Sequence, residues 1–538
     1  MTGCNGRGVR ARGRAWLAGA MLMLACTAAG AQIVQGRLAL QWGDPGPAQQ
    51  ALPARLSATL VTDEGARIAL DPAQARRAAG DLYALSNRRV AVAFAARDRG
   101  VLQRTAVEVI VPADRLWQRA PALDAAGRVV AEAPVSGTTR WVTLACRFSD
   151  IATEQKTTAF FTSQYGTAAG QLGHYWNEVS YGKINLTGSQ AYGWFALPLA
   201  RGAYVTMVDG EEEADLDKLF TDCAAAADPT VNFTGVQGVN MMFNGDLDGY
   251  AWGGGACATL DGVRRCPRVT WNPPWSFGNL APLAHEMGHG YGLPHSDNSD
   301  GDDDTYDNPW DVMSDGWSNA TYDGTYGALP KHINIQQRDR LGWVDAARKL
   351  IVPAGNFSRT QVALDFASLK GSTHPQMIVL AMPAGADPYA TEVYTIEARR
   401  RTGTYESALA GDAVIIHRMA DYGTAYSVDA DVPPADVSNN EGSMFTPGEV
   451  WQSPDRSRWI RVDAMTATGF LVTIGPKLRV TGGRLPGLRK AAAPLAPQPA
   501  GSLRSAREAS HPSPARAGAR RAPADRGARG PIAGRRMR

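Results

Sequence analysis

Three of the chain's 8 histidines lie within one short stretch, HEMGHGYGLPH, from His285 to His295. Apolar residues surround them in NLAPLAHEMGHGYGL, and the Asn-Pro-Pro-Trp sequence that comes before cannot be helical. The pattern predicts a helix that begins near Ser276 or Asn279, either of which can cap it. His285 and His289 would then lie one turn apart on the same helical face, where both imidazoles can bind one cation.

Gly292 favours a left-handed backbone conformation, which ends a helix and turns the chain sharply. This turn can bring His295 back towards the first two histidines. Three neutral imidazoles with one open position are typical of a catalytic zinc site rather than a closed structural one. Glu286 projects beside the metal without being forced to bind it, and we predict that it is the general base for a zinc-bound water.

A methionine follows in NPWDVMSDG, at Met313. Spaced histidines followed by a methionine turn resemble the metzincin metallopeptidases. Four segments together, YWNEVSYGKINLTG, AHEMGHGYGLPHS, YDNPWDVMSDG and QQRDRLGW, resemble the gametolysin-like and immune-inhibitor-A-like secreted metallopeptidases. YTIEARRRTGTYESALAGDAVIIHRM is similar to the β domain that follows their catalytic domain, so the likeness covers residues 140–475.

The resemblance implies a zinc site whose ligands are His285, His289 and His295. It also implies that Glu286 is the catalytic base and that Met313 forms the floor beneath the metal. Some metzincins carry a fifth, tyrosine ligand two residues after the methionine. Asp315 stands at that position here, so we expect no tyrosine ligand there.

The N-terminus has the pattern of an export signal. Four arginines precede the apolar run AWLAGAMLMLA, and a small-residue cleavage pattern ends at Ala31. The run is too short to span a bilayer, and no later segment is long and apolar enough to be transmembrane. We therefore expect a secreted protein, extracellular or periplasmic. LMLAC loosely resembles a lipoprotein signal, which leaves a lipid anchor at Cys26 as the alternative.

The net charge of +3 conceals a segregated distribution. Basic residues are concentrated near both termini, and Glu508 and Asp525 are the only acids after residue 483. The region between the termini is therefore acidic, and nothing in it indicates a nucleic-acid partner. The tail, residues 484–538, is rich in Ala, Pro, Arg and Gly, and its composition predicts disorder because it has little apolar surface to bury.

The mature chain divides into three regions by pattern. Residues 32–139 alternate like strands and predict an N-terminal β domain, either a permanent accessory domain or a propeptide. They contain no cysteine, so a thiolate cannot cap the zinc. Residues 140–345 predict an α+β metzincin-type catalytic domain, with a mixed twisted sheet and an active-site helix. Residues 346–483 predict a β-sandwich-like domain, so two all-β domains would flank the catalytic one.

Four cysteines remain after the signal: Cys146, Cys223, Cys257 and Cys266. An even number in an exported protein predicts disulfides, with three possible pairings. The short CATLDGVRRC loop favours Cys257–Cys266, which leaves Cys146–Cys223. Four buried free thiols are the alternative.

Eight aspartates lie between Asp297 and Asp315. Within them DNSDGDDD could bind calcium, which prefers clustered oxygen ligands; the candidates are Asp297, Asp300 and Asp302. A solvated acidic loop is the alternative interpretation.

These features together predict a secreted, monomeric zinc endopeptidase that hydrolyses proteins or glycoproteins. We expect its substrates to bind extended, by addition to an edge strand of the sheet. Two other functions remain open. One is a secreted binding or adhesion protein with a vestigial zinc site, and the other is a zinc amidase acting on cell-wall peptides.

Overall fold

The computed structural model describes residues 32–49, 52–95, 106–115, 134–301, 305–383, 392–420, 423–431, 440–477 and 488–490. The predicted export signal with Cys26 and Ala31, the calcium candidate Asp302, and the chain beyond Lys490 lie outside these ranges.

The N-terminal region contains five strands and one helix. They are β1 (Gln32–Pro45), β2 (Arg55–Thr62), β3 (Arg67–Leu70), α1 (Pro72–Ala79), β4 (Arg89–Phe94) and β5 (Val107–Pro112). The alternating pattern did not predict helix α1, but its ends have ordinary signals. The Asp71 side chain accepts a hydrogen bond from the Gln74 backbone N–H at 2.8 Å, and Gly80 follows the last turn.

The middle of the chain alternates strands with helices. Its elements before the acidic loop are β6 (Gly137–Thr138), β7 (Trp141–Arg147), α2 (Thr158–Gln164), α3 (Leu172–Val179), β8 (Ile184–Asn185), β9 (Gln190–Ala196), β10 (Val205–Val208), β11 (Glu211–Ala214), α4 (Leu216–Ala227), β12 (Gly238–Phe243), β13 (Tyr250–Gly255), β14 (Ala258–Leu260), β15 (Val263–Arg265), β16 (Arg268–Asn272), α5 (Pro274–Phe277) and α6 (Leu280–Gly290).

One mixed sheet joins the N-terminal strands to those of the middle region. Its order is β3-β2-β1-β13-β16-β12-β7-β9, and β4 and β5 extend it from β1. Strands β16, β12, β7 and β9 are parallel, whereas β13 is antiparallel to β16. Strand β1 pairs antiparallel with β13. The sequence pattern predicted a separate N-terminal β domain, and the finding is a sheet shared by both regions.

Both faces of this sheet are covered, which explains why β7 and β12 are apolar along their length. On one face Trp141 of β7 packs in a cluster with residues of α3 and α6. On the other face Val142 and Leu144 of β7 pack with residues of α4. Helix α6 is therefore enclosed on all sides, and every one of its residues is buried.

The rest of the chain is mostly strands. Its elements are β17 (Ser296–Asn298), β18 (Thr321–Asp323), β19 (Gly327–Leu329), α7 (Ile335–Arg340), β20 (Lys349–Val352), β21 (Thr360–Asp365), β22 (Met377–Ala381), β23 (Val393–Arg399), β24 (Ala413–Ala420), β25 (Thr424–Ser427), β26 (Val450–Gln452), β27 (Arg458–Met465), β28 (Gly469–Pro476) and β29 (Leu488–Lys490).

Two sheets of the C-terminal region share one apolar cluster. The first has the order β17-β25-β24-β23-β22-β20 and the second has the order β21-β28-β27-β26-β29. Ile396 and Val414 of the first sheet and Ile460 and Val472 of the second are all in this cluster. Strand β29 lies within the tail predicted to be disordered, where it pairs with β26.

The predicted boundary at residue 345 does not separate two packing units. Strand β17 follows His295 directly and pairs in parallel with β25 of the C-terminal sheet. The buried Arg399 guanidinium donates to the Trp310 carbonyl at 2.6 Å and contacts the Glu406 carboxylate. The chain after the third histidine is thus held by the C-terminal region. None of the helices in the described ranges has the length and apolarity to cross a bilayer.

Candidate metal centre

Helix α6 carries the first two histidines, as the spacing predicted, but its beginning differs from the prediction. Asn279 occupies the N-cap position without a side-chain cap. Its carboxamide accepts from the Ala328 backbone N–H at 3.0 Å and donates to the Trp275 carbonyl at 3.3 Å. Ser276, the other predicted cap, belongs to α5, which begins at Pro274 and also contains Trp275. The Asn-Pro-Pro-Trp sequence is therefore helical in part, contrary to the prediction, because proline is tolerated in the first turn of a helix. Asn279 therefore ties α6 to neighbouring segments instead of satisfying the first turn.

The turn after α6 brings the third histidine to the other two. Gly292 has a φ of 88°, a conformation that residues with a Cβ rarely adopt. The Leu293 backbone N–H donates to the Gly288 carbonyl at 3.0 Å, which closes the turn. The ring of His295 then lies with its centroid 4.6 Å from that of His289 and 5.3 Å from that of His285.

The three imidazoles present the same nitrogen to a common centre. Nε2 of His289 lies 3.0 Å from Nε2 of His285 and 3.1 Å from Nε2 of His295. Nδ1 of His285 lies 2.6 Å from the Val312 carbonyl, and Nδ1 of His289 lies 2.7 Å from the Leu293 carbonyl. A carbonyl only accepts, so each of these Nδ1 atoms carries the proton. A neutral imidazole in this tautomer presents its Nε2 lone pair to the centre, an arrangement that a bound cation stabilises.

Met313 lies beneath this centre and is fully buried. A Cβ at Gly288 would lie 2.3 Å from the Met313 sulfur, so the thioether packs directly against the backbone of α6 between the histidines. Asp311 shapes the turn that carries the methionine. Its carboxylate accepts from the Met313 backbone N–H at 2.9 Å and from the Ser296 hydroxyl at 3.0 Å. The sequence singled out Met313 but not Asp311.

A fourth side chain, Asp44 of β1, enters the centre from the N-terminal region. Its Oδ1 lies 2.6 Å from Nε2 of His295 and 3.3 Å from Nε2 of His285. Its Oδ2 lies 3.2 Å from Nε2 of His289. The phenol of Tyr306 donates to the same Oδ1 at 2.6 Å. No local signal marks Asp44 in the sequence, because it stands 251 residues from His295.

Burial controls the charge states of these groups. Burial, and then the nearby Asp44 carboxylate, raises the pKa of Glu286 well above its usual range. Burial lowers the pKa of His289 to about 3. Burial alone would raise the pKa of Asp44, but the three imidazoles hold it well below its usual range. Burial raises the pKa of Tyr306, and the nearby Asp44 carboxylate raises it further, so the phenol stays protonated and can donate a hydrogen bond.

These residues can hold a metal ion. Within the described ranges, the only group of three or more His, Cys, Asp or Glu side chains with converging ligand atoms consists of Asp44, His285, His289 and His295. Glu286 is nearly fully buried next to this group, and its Oε2 has no hydrogen-bond partner. The donor set, three nitrogens and one carboxylate, suits a divalent transition metal.

The calcium candidates are not part of a comparable group. Asp297 and Asp300 belong to no cluster of converging ligands among the described residues, and Asp302 lies outside those residues. Asp315 does not belong to the group of converging ligands either. Its carboxylate accepts from the Trp317 and Ser318 backbone N–H groups at 2.9 and 2.8 Å.

Both predicted cysteine pairs lie at bonding distance. Cys146–Cys223 joins β7 to α4 across the buried face of the sheet. Cys257–Cys266 joins the two ends of the β14–β15 hairpin. The short loop between Cys257 and Cys266 was the feature of the sequence that predicted their pairing.

No model of a known protein family matches the sequence, and none of the curated proteins matches it either. The interpretation of the site therefore depends on its own geometry.

Proposed function

We propose that the chain is a zinc-dependent endopeptidase of the metzincin type. The observation that carries the proposal is the convergence of three Nε2 atoms, with that of His289 3.0 and 3.1 Å from the other two, beside a buried glutamate whose Oε2 has no hydrogen-bond partner. Such an oxygen costs folding free energy, and its position beside the three imidazoles is the one that a general base requires.

Zinc fits the donor set best, since three imidazoles and a variable fourth position are typical of its catalytic sites. When bound, zinc polarises a peptide carbonyl and makes a coordinated water acidic enough to act near neutral pH. The carbonyls of Val312 and Leu293 orient two of the imidazoles through Nδ1, which fixes the tautomer that binds metal.

Glu286 takes the proton of the attacking water and passes it to the leaving nitrogen. Its Oε2 has no competing hydrogen bond, so the carboxylate is available for both transfers. Burial raises its pKa, which makes it a stronger base than an exposed glutamate.

Tyr306 supplies a second polar contact to the reacting group. Its phenol donates at 2.6 Å to Asp44 Oδ1, the oxygen that lies among the three imidazoles. This carboxylate oxygen stands in for the carbonyl oxygen of a substrate. The phenol is therefore placed to stabilise the negative charge that develops on that oxygen during attack.

One observation favours the rival function. With Asp44 counted as a ligand, the centre has four protein donors, and a filled tetrahedral set is typical of structural zinc. The chain would then be a secreted binding protein in which the metal braces the N-terminal region against α6. The two functions differ in whether catalysis appears once Asp44 is removed.

Cleavage of casein by the Asp44→Ala full-length protein tests the proposal, with bound metal quantified in the same samples. We expect chelator-sensitive cleavage at about one zinc per chain. The matched control is the Asp44→Ala, Glu286→Ala double variant, which should bind zinc and cleave little. Absence of cleavage by zinc-loaded Asp44→Ala protein, also after the chain is cut between β5 and β6 and diluted to release β1, would exclude the peptidase function and favour the binding protein.

A further inference from the structure

The sheet has an internal strand where a peptidase of the proposed kind needs an open edge. Strand β13 is antiparallel to its neighbour β16, and α6 with the histidines packs beside both strands. The other edge of β13 is covered by β1 of the same chain. We propose that residues 32–115 are an intramolecular inhibitor, whose segment Gln41–Pro45 occupies the groove for an extended peptide substrate. This inference rests on the proposed function and identifies how the same site is regulated.

The backbone of β1 follows β13 in an antiparallel register. Gln41 pairs with Gly254, and the pairing continues residue by residue to Pro45 opposite Tyr250. The Gly46 backbone N–H then donates to the Gly249 carbonyl at 3.0 Å. An added antiparallel strand is the general way in which an extended peptide binds to a sheet edge.

Asp44 is the residue of this segment that reaches the metal centre. Its two oxygens lie within 3.3 Å of all three Nε2 atoms, where a substrate carbonyl and the attacking water would have to enter. Tyr306 donates to one of these oxygens and stabilises the carboxylate in that position. With Asp44 in place, neither water nor substrate has access to the metal from the groove.

The two residues before Asp44, Trp42 and Gly43, fix its position. The indole of Trp42 packs on the imidazole of His289. A Cβ at Gly43 would lie 2.7 Å from the ring of Trp252, so glycine lets β1 approach β13 closely enough for the next side chain to enter the centre. A shift of the register by one residue would turn Asp44 to the opposite face of the sheet.

The inhibitory region has a hydrophobic core of its own. Its cluster is made of residues 38–110 and includes Leu38, Leu60, Val90 and Ile110. The C-terminal region differs, because Tyr405 belongs to the cluster of α3 and α6. A region with its own core can separate from its partner without opening the partner's core.

Ion pairs surround the contact outside the groove. Arg55 pairs with Glu211 at 2.7 Å, and Arg340 pairs with Asp81 at 2.9 Å. The Arg55–Glu211 pair is partly exposed and contributes on the order of 1 kcal/mol or less. The Arg340–Asp81 pair is largely buried and helps to hold the region in place. Occupation of the groove therefore depends on the β1–β13 ladder, on Asp44 and on the Arg340–Asp81 pair.

The test uses full-length protein loaded with Co²⁺ in place of zinc, because cobalt reports its coordination by visible absorption. Acetohydroxamate, a small bidentate metal ligand, is titrated into wild type, Asp44→Ala and Asp44→Asn. Asp63→Ala is the matched control, since Asp63 is an exposed carboxylate of the same region that pairs with Arg89. We expect Asp44→Ala to bind acetohydroxamate at least about 100-fold more tightly than wild type and Asp63→Ala.

Asp44→Asn keeps the size of the side chain, and its affinity for acetohydroxamate should lie between those of wild type and Asp44→Ala. An intermediate affinity would show that tight binding by Asp44→Ala does not come from a folding defect. Equal binding by wild type and both Asp44 variants would overturn the inference. Loss of cobalt from the Asp44 variants alone would also overturn it, because Asp44 would then be a structural ligand. Tight acetohydroxamate binding by Asp44→Ala without casein cleavage, also after β1 is released by a cut between β5 and β6 and dilution, would support the occupied groove while excluding the peptidase function.

Discussion

The indole of Trp42 stacks on the imidazole of His289, with ring centroids 4.8 Å apart and an angle of 5° between the planes. Trp42 belongs to β1, and His289 belongs to α6, the helix that carries two of the candidate metal ligands. Both side chains are almost fully buried. The stack thus attaches the N-terminal region to a candidate metal ligand and shields one face of that imidazole from water.

Replacement of Trp42 by Ala should loosen β1 from the groove. An aromatic pair of this geometry contributes about 0.5–1.5 kcal/mol beyond its burial, so acetohydroxamate should bind the cobalt protein up to about tenfold more tightly than it binds wild type. The matched variant Trp42→Phe keeps a ring over His289 and should show a smaller change. Equal changes in both variants would show that stacking is not what holds the strand.

Loss of the Glu286 side chain should remove proton transfer, whereas loss of His295 should remove a metal ligand. In the Asp44→Ala background, Glu286→Ala should keep zinc and lower casein cleavage by roughly 10²–10⁴-fold, because proton transfer is lost while all three imidazoles remain. His295→Ala should lower zinc affinity itself. Metal content and activity measured on the same preparations separate the two effects. Zinc-loaded Asp44→Ala, Glu286→Ala protein that is as active as Asp44→Ala protein would contradict the role of Glu286.

Tyr306→Phe, also in the Asp44→Ala background, tests the phenol contact. Removal of one donor to a developing oxyanion costs about 10²–10³-fold in kcat. We expect a fall of that order with KM and zinc content little changed, since the ring stays in place. A rise confined to KM would instead indicate that Tyr306 binds the substrate and the transition state equally well.

The two disulfides should contribute unequally to stability. Cys146–Cys223 closes a loop of 77 residues, whereas Cys257–Cys266 closes one of 9 residues. Loop-closure entropy gives about 4 kcal/mol for the first and about 2.5 kcal/mol for the second. Replacing each pair by alanines should therefore lower the thermal midpoint more for Cys146 and Cys223. A larger loss from the short loop would contradict this entropic ranking.

A carboxylate far from the metal centre should make the C-terminal region sensitive to acid. Burial alone would raise the pKa of Asp365, but hydrogen bonds from Thr468, Ser372 and the His374 backbone N–H lower it below the ordinary value. A lowered pKa stabilises the fold above about pH 4, and this contribution is lost as the pH falls through the folded-state value.

Asp365→Asn should lower the free energy of unfolding by about 2 kcal/mol at neutral pH, because an amide accepts fewer of these hydrogen bonds. The difference from wild type should shrink below about pH 4, as urea unfolding across that range would measure. Asp345→Asn is the control, since the Asp345 side chain is exposed and pairs only with Lys183 among the described residues. A difference that grew in acid would contradict the direction of the shift.

Local signals in the sequence account for part of the site. Helix α6, the turn at Gly292 and the Cys257–Cys266 pair all depend on residues that are close along the chain, so spacing and residue type were sufficient to predict them. Asn279 shows the limit of such signals. Its side chain has the right type and position for a cap, but the Ala328 backbone N–H, from a distant segment, competes for its oxygen.

Asp44 and Tyr306 could not be predicted in the same way. Asp44 reaches the centre only because β1 joins β13, and strand pairing over such a separation leaves no periodic signal near it. The Tyr306 ring lies with its centroid 5.6 Å from that of His295, but a tyrosine in an acidic loop carries no signal of this contact. A single aspartate at the end of an alternating strand is indistinguishable, in sequence, from a residue that faces solvent. The shared sheet was missed for the same reason, since alternation predicts that a strand exists but not which strand lies beside it.

The pairing of β1 with β13 also determines what a break in the connecting chain would achieve. The ladder and the Asp81–Arg340 ion pair hold the N-terminal region whether or not it is covalently attached. While the chain is intact, the tether gives β1 an effective concentration at the groove in about the millimolar range. After a break, β1 rebinds only at the concentration of the N-terminal fragment in solution. A nick alone would therefore leave the proposed peptidase inactive in concentrated solution, and its activity would appear only once the two fragments are diluted.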